Sequence, residues 1–239
     1  MHCHCYETDS AFVLCCEDVG SAQLEAVIQD KAWLKADGKF LMSFPKDVFS
    51  NQHEKALISS NFSRLGPVLF ESSLSGIEWE KPLEMLAQTF DENGIEWYVV
   101  GSVCDTLRGI NVKPSDIDIV IHTRDYYKAK DVCYRNFPDS IIAPFMGNQD
   151  PAYFVAALRY FGRMFLAGAM VEIAADEIWD LESRHPEHKK AVWAHYGHSE
   201  YVKIMWRGHA IYVESLQHRY QIEKARNRVD RVRVMEECM

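Results

Sequence analysis

The sequence of 239 residues lacks several features, and each absence excludes a class of protein. No run of about eighteen apolar residues occurs, so we expect no helix that spans a membrane. The first ten residues, MHCHCYETDS, contain no basic segment followed by an apolar core, so a secretory signal is not expected. Basic residues are not in excess, since the net charge is -9. A general nucleic-acid binder is therefore not favoured, although a local basic patch is compatible with this charge.

The cysteine content does not indicate a disulfide framework. Seven is an odd number, which fits reduced thiols, and we expect a cytoplasmic protein. Cys3, His4, Cys5, Cys15 and Cys16 together suggest a zinc site, but their spacing matches no common zinc module. Free cysteines are the favoured interpretation. The chain is 48% hydrophobic and 26% charged, which is typical of a globular protein with one large domain or two modest ones.

A pair of acidic residues lies in the most informative segment, YVVGSVCDTLRGINVKPSDIDIVIHT. The apolar, β-branched run IDIVI predicts a short strand. Residues two apart on a strand face the same way, so the carboxylates of Asp116 and Asp118 leave one surface, about 6.6 Å apart along the strand. Their mutual repulsion would be relieved by Mg²⁺, which prefers carboxylate oxygens and keeps positions for water and phosphate. The pair therefore predicts a metal site.

A small-residue turn precedes this pair. Gly101 and Ser102 end a second apolar run, WYVV, and thirteen residues separate Ser102 from Asp116. A backbone without bulky side chains can approach a phosphate closely, and amide groups at the start of a following helix can hold it. Each motif alone is common, as a turn or as a solvated strand end, but the two together beside predicted strands are more specific.

This combination resembles the signature of the nucleotidyltransferase superfamily, the fold of DNA polymerase β and of small antibiotic-modifying or defence-type nucleotidyltransferases. The resemblance implies that Gly101 and Ser102 hold the triphosphate of an NTP, while Asp116 and Asp118 bind Mg²⁺ or Mn²⁺. It also implies a third carboxylate on a later strand of the same sheet, which would complete the metal site or act as general base on the acceptor hydroxyl.

Glu172, in the apolar run AGAMVEIAAD, is the candidate for this third acid, because Val171 and Ile173 flank it as core residues would on a strand. A glutamate on an edge strand that faces water is the alternative. Arg108 and Lys113 are nearest to the motif in sequence, and either could neutralise the leaving pyrophosphate; side chains that merely face solvent are again the alternative.

The alternation of predicted elements indicates an α/β (α+β) fold, in which a small mixed sheet is covered by helices. Residues 76–185 are expected to form the nucleotidyltransferase-like core. Two strands around Gly162 to Gly168 would bring Glu172 beside the acid pair, although a buried helix across ALRYF fits the same apolar run.

Additions to this core are predicted at both ends. Residues 1–75 are expected to form a helical region, because apolar residues recur with helical spacing between Leu24 and Leu34. Residues 186–239 are expected to form a hairpin that turns at Arg207-Gly208, followed by a closing helix. Four histidines in RHPEHKKAVWAHYGH are interpreted as structural, since their spacing does not demand a metal.

The closing helix carries four arginines, Arg226, Arg228, Arg231 and Arg233. They could contact nucleotide phosphates or an acidic acceptor. A solvated basic face offset by neighbouring carboxylates is an equally good interpretation.

The expected function is metal-dependent transfer of a nucleoside monophosphate from an NTP to a hydroxyl acceptor. A small molecule is the favoured acceptor, since an acidic protein suits a cationic compound. The alternatives are a toxin or defence-type enzyme that acts on RNA or protein, and an inactive fold that only binds nucleotides.

Overall fold

The computed structural model describes residues 1–31, 33–147, 160–176 and 201–239. The histidines expected to be structural in the segment 185–198, and residues 157–159 of the alternative helix, lie outside the described residues. Among the helices of the described ranges, none is both long and apolar enough to cross a bilayer.

Strands in the described part of the chain form two sheets. Their bounds are β1 His2–Glu7, β2 Ala11–Glu17, β3 Leu34–Ala36, β4 Lys39–Pro45, β5 Trp97–Val100, β6 Ile117–Ile121, β7 Ile141–Gly147, β8 Tyr160–Leu166, β9 Ala169–Ala175, β10 Tyr201–Trp206 and β11 His209–Glu214. The first sheet has the order β1-β2-β4-β3 and is antiparallel. The second has the order β10-β11-β5-β6-β9-β8-β7 and is mixed.

Helices cover these sheets, which confirms the expected α/β architecture of a mixed sheet with helices. Their bounds are α1 Ala22–Asp30, α2 Gln52–Ser75, α3 Glu80–Glu92, α4 Gly101–Leu107, α5 Tyr126–Asn136, α6 Leu216–Ala225 and α7 Val229–Glu236.

The helical interpretation of residues 1–75 requires correction. Helix α1 is present and begins at Ser21, whose hydroxyl accepts a hydrogen bond from the Leu24 amide at 3.2 Å. The segments on either side of it form the four-stranded sheet, which the sequence analysis missed. Strand β2 is buried on both faces from Ala11 to Cys16, so it lacks the alternation of apolar and polar residues that usually reveals a strand.

Helix α2 joins the two sheets, since it packs against both β1 and β7. Asn61 on this helix donates to the carbonyls of Pro138 at 2.8 Å and Ile141 at 2.9 Å. Residues of both sheets lie in one continuous hydrophobic core, which includes Phe12 of β2 and Val171 of β9. The N-terminal sheet is therefore packed onto the larger sheet through α2.

The register of the large sheet aligns the predicted acids. Asp118 in β6 lies opposite Glu172 in the parallel neighbour β9, and Glu172 lies opposite Arg163 in β8. Alternation sends Ile117 and Ile119 to the opposite face, where both are buried in the core. The two strands expected around Gly162 to Gly168 are confirmed as β8 and β9.

The C-terminal hairpin turns at Arg207 and Gly208, as predicted, and both residues have positive φ. Its second strand pairs in parallel with β5, so the hairpin extends the sheet that carries the acids. The prediction of a single closing helix is wrong, because α6 and α7 are separate helices. Asn227, at φ 58°, has a left-handed conformation that an α-helix does not contain.

We expect Asn61→Ala to reduce the free energy of unfolding by about 1–3 kcal/mol, because the buried Ile141 carbonyl and the part-buried Pro138 carbonyl would each lose a donor. Urea unfolding measures this loss. Asn93→Ala is the control, since the Asn93 side chain donates to the Thr89 carbonyl within its own helix end. Equal losses in the two variants would contradict a docking role for Asn61.

Candidate active site

Three carboxylates converge at the centre of the large sheet. One oxygen from each of Asp116, Asp118 and Glu172 lies within 4.8 Å of the others. Asp116 immediately precedes β6, and register places Asp118 directly beside Glu172. Three hard oxygen donors at this spacing fit Mg²⁺ or Mn²⁺. The structure therefore brings together all three acids that the sequence analysis selected, and their roles as ligands stay predictions.

Two buried cations, which the sequence analysis missed, contact the outer members of this acidic trio. The Lys31 ammonium forms an ion pair with Asp116 Oδ2. Arg163 Nε donates to Glu172 Oε1 at 2.9 Å. Lys31 is 8% exposed and Arg163 is 1% exposed, so both cations are largely shielded from bulk water. The internal cations offset part of the repulsion among the acids.

The sequence contains a signal that Arg163 needs a charged partner, but it contains no such signal for Lys31. Arg163 interrupts the apolar strand YFGRMFL, and a charge in such a strand requires a partner. That signal could have led to Glu172, nine residues away on the next strand. Lys31 offers no comparable signal, because it lies 85 residues from Asp116 in a region with no recognisable motif.

The surroundings shift the pKa values of Asp118 and Glu172 in opposite directions. Burial and the negative charge of Glu172 raise the pKa of Asp118 above its ordinary value. Burial alone would also raise the pKa of Glu172, but the charges of Arg163 and Lys31 outweigh it and hold that pKa below its ordinary value. An added cation would therefore favour the ionised form of Asp118.

Gly101 lies directly against Asp118. Its φ of 68° belongs to the left-handed region, and a Cβ at this position would collide with Asp118 Oδ2. Helix α4 begins at Gly101, and the next residue, Ser102, is buried. The predicted turn is therefore the start of a short helix packed against the acidic trio.

The structure does not connect the two predicted phosphate-binding cations with the trio. Arg108 follows the last residue of α4. The aliphatic part of Lys113 lies over Gly76, just beyond α2. Lys31 and Arg163 do contact these carboxylates, and a nucleotide-binding role for Arg108 and Lys113 stays a prediction.

A buried ion network ties the C-terminal helices to α4. Arg219 of α6 donates to Asp105 at 2.9 Å and to Glu223 at 2.8 Å, and Asp105 is fully buried. Arg231 approaches Asp105 at 3.4 Å, and Arg228 approaches Glu223 at 3.6 Å. Two of the four arginines predicted to contact phosphates therefore have carboxylate partners within the protein.

The N-terminal cysteines lie on strands β1 and β2. Cys3 and Cys16 face each other with their sulfur atoms 3.3 Å apart, and burial raises the pKa of the Cys5 thiol to about 12. His2, His4 and Glu17 form a second group that could hold a metal, but Glu17 already pairs with the exposed Lys39 at 2.8 Å.

Comparison with known proteins gives a limited result. No protein-family model and no curated protein matches the chain significantly. Solved structures do match the chain. A candidate nucleotidyltransferase from Thermotoga maritima is 19% identical with a TM-score of 0.46, over 67% of this chain and 91% of that one. An antigenic nucleotidyltransferase-like protein from Paracoccidioides brasiliensis is 18% identical with a TM-score of 0.35, over 63% of this chain and 72% of that one.

Similarity at this level does not assign residues or an activity. The functional argument for this chain therefore depends on its own site.

We expect Gly101→Ala to abolish Mn²⁺ binding at the trio, because the added methyl group would displace the Asp118 carboxylate. Calorimetric titration with Mn²⁺ measures this loss. Gly109→Ala is a matched control, since Gly109 also has positive φ but a methyl group added there would meet no neighbouring atom within 4 Å. If Gly101→Ala bound Mn²⁺ as tightly as Gly109→Ala does, the proposed contact between Mn²⁺ and Asp118 would be contradicted.

Proposed function

We propose that this chain is a metal-dependent nucleotidyltransferase, which moves a nucleoside monophosphate from an NTP to a hydroxyl acceptor. The supporting observation is the convergence of Asp116, Asp118 and Glu172, with Gly101 packed directly against Asp118. The three clustered carboxylates provide metal ligands, and the lack of a side chain at Gly101 allows the Asp118 carboxylate to lie against the start of α4.

In the proposed reaction the acceptor hydroxyl oxygen attacks the α-phosphorus and gives its proton to water, while the bond to pyrophosphate breaks. Divalent ions, when bound, would clamp the attacking and leaving oxygens. Asp116 and Asp118 would hold these ions, while Gly101 and Ser102 would position the triphosphate. Most of the rate would come from positioning and from neutralisation of charge.

The environment of Glu172 favours one of its two predicted roles. A general base works best when its pKa is near the working pH. The pKa of Glu172 is instead held below its ordinary value by Arg163 and Lys31. Because one oxygen of Glu172 also lies within 4.8 Å of oxygens of Asp116 and Asp118, we assign Glu172 to metal binding rather than to removal of the acceptor proton.

A small cationic compound is the proposed acceptor. The net charge of -9 favours association with a cation and disfavours a polyanion such as RNA. A nucleotide-binding protein without transfer activity is the second candidate, because Lys31 and Arg163 already pair with two of the three acids.

We expect the wild-type protein to bind at least one of the four NTPs only when Mg²⁺ is present. Asp116→Asn and Asp118→Asn should each reduce that affinity by at least about a hundredfold, since each removes a charged ligand. Calorimetric titration measures both effects. Turnover should be lost in both variants, while circular dichroism should show that the fold is retained.

Asp91→Asn is the control for this experiment, because Asp91 pairs with His209 at the surface. It should bind NTP as the wild type does. Metal-independent NTP binding, or full turnover in either site variant, would contradict the assignment. Metal-dependent binding without turnover on any acceptor would favour the second candidate.

A further inference from the structure

Lys31 is held at the acidic trio by its backbone as well as by its charge. Its amide donates to the Ile28 carbonyl at 3.2 Å, at the end of α1. Its own carbonyl accepts from Arg163 Nη2 at 3.4 Å, the same guanidinium that pairs with Glu172. The backbone position is therefore fixed on both sides, while the ammonium lies at the end of a flexible four-carbon side chain.

The charges at the site come close to balance without any ligand. Three carboxylates carry three negative charges, and Lys31 and Arg163 carry two positive charges. Among these five groups one net negative charge remains, and the positive charge of Arg226 also acts on Asp118. A free divalent ion at the trio would make the site net positive and would repel the Lys31 ammonium, which is largely shielded from bulk water.

A nucleoside triphosphate changes this balance. Its phosphate oxygens add negative charge next to the metal, and they accept hydrogen bonds from an ammonium group. An ammonium that leaves Asp116 would then have a new anionic partner nearby. A free metal ion supplies no such partner.

We propose that Lys31 makes the acidic trio selective for a metal–nucleoside triphosphate complex over the free metal ion. This inference rests on the proposed function. Without ligand, the Lys31 ammonium pairs with Asp116. A free metal ion must displace this ammonium and offers it no new partner. A bound triphosphate, by contrast, accepts hydrogen bonds from the displaced ammonium. Lys31 is then a specificity-determining residue that the N-terminal part of the chain contributes to the site.

The test compares two affinities in the same full-length variants. Binding of free Mn²⁺, and binding of the NTP at saturating Mn²⁺, are measured by calorimetry for the wild type and for Lys31→Met. We expect Lys31→Met to bind free Mn²⁺ about tenfold more tightly, because the ammonium that competes with the ion is lost. We expect it to bind the NTP about tenfold more weakly, because the triphosphate loses the ammonium as its partner. A residue with a purely structural role would weaken both.

Lys35→Met is the matched control. Lys35 follows Lys31 by four residues but pairs with Glu25 at 2.6 Å near the surface. Both of its affinities should equal those of the wild type. If Lys31→Met does not fold, Lys31→Gln replaces it, because the neutral amide can still donate a hydrogen bond to Asp116.

The outcomes separate this inference from the proposed function. Opposite shifts of the two affinities support the selectivity. Unchanged or weaker Mn²⁺ binding by a folded Lys31 variant, with NTP binding intact in the wild type, overturns the role of Lys31 alone. Failure of the wild type to bind any NTP in the presence of metal overturns the proposed function and the selectivity with it.

Discussion

Repulsion among three carboxylates is the constraint on which the rest of the site depends. The parallel pairing of β6 with β9 places Asp118 beside Glu172, and the residue before β6 adds Asp116. Such a cluster is unfavourable unless positive charge accompanies it. Lys31 and Arg163 supply part of that charge from within the protein.

Each part of the chain contributes to this arrangement. The N-terminal region provides Lys31, and α2 packs that region onto the large sheet. The C-terminal helices hold α4 through the pair of Arg219 and Asp105, and α4 begins at Gly101, against Asp118. The additions at the two ends are therefore structural supports of the site as well as extensions of the core.

The sequence predicted those features that depend on local pattern. IDIVI and AMVEIAA have the composition of strands, and a glutamate flanked by core residues had to face the opposite side, so the acidic trio was foreseeable. The N-terminal sheet was not, because β2 is buried on both faces and shows no alternation. The contact of Lys31 with Asp116 was also beyond sequence reasoning, since it depends on how α2 packs the N-terminal region onto strands that come much later in the chain.

The most direct test of this account is a crystal structure of the protein with Mn²⁺ and a non-hydrolysable NTP analogue, with the ions located by anomalous scattering. The account predicts Mn²⁺ about 2.0–2.3 Å from oxygens of Asp116, Asp118 and Glu172, with the triphosphate at Gly101 and Ser102. Nucleotide bound elsewhere, or Lys31 still paired with Asp116 and no ion at the trio, would contradict it.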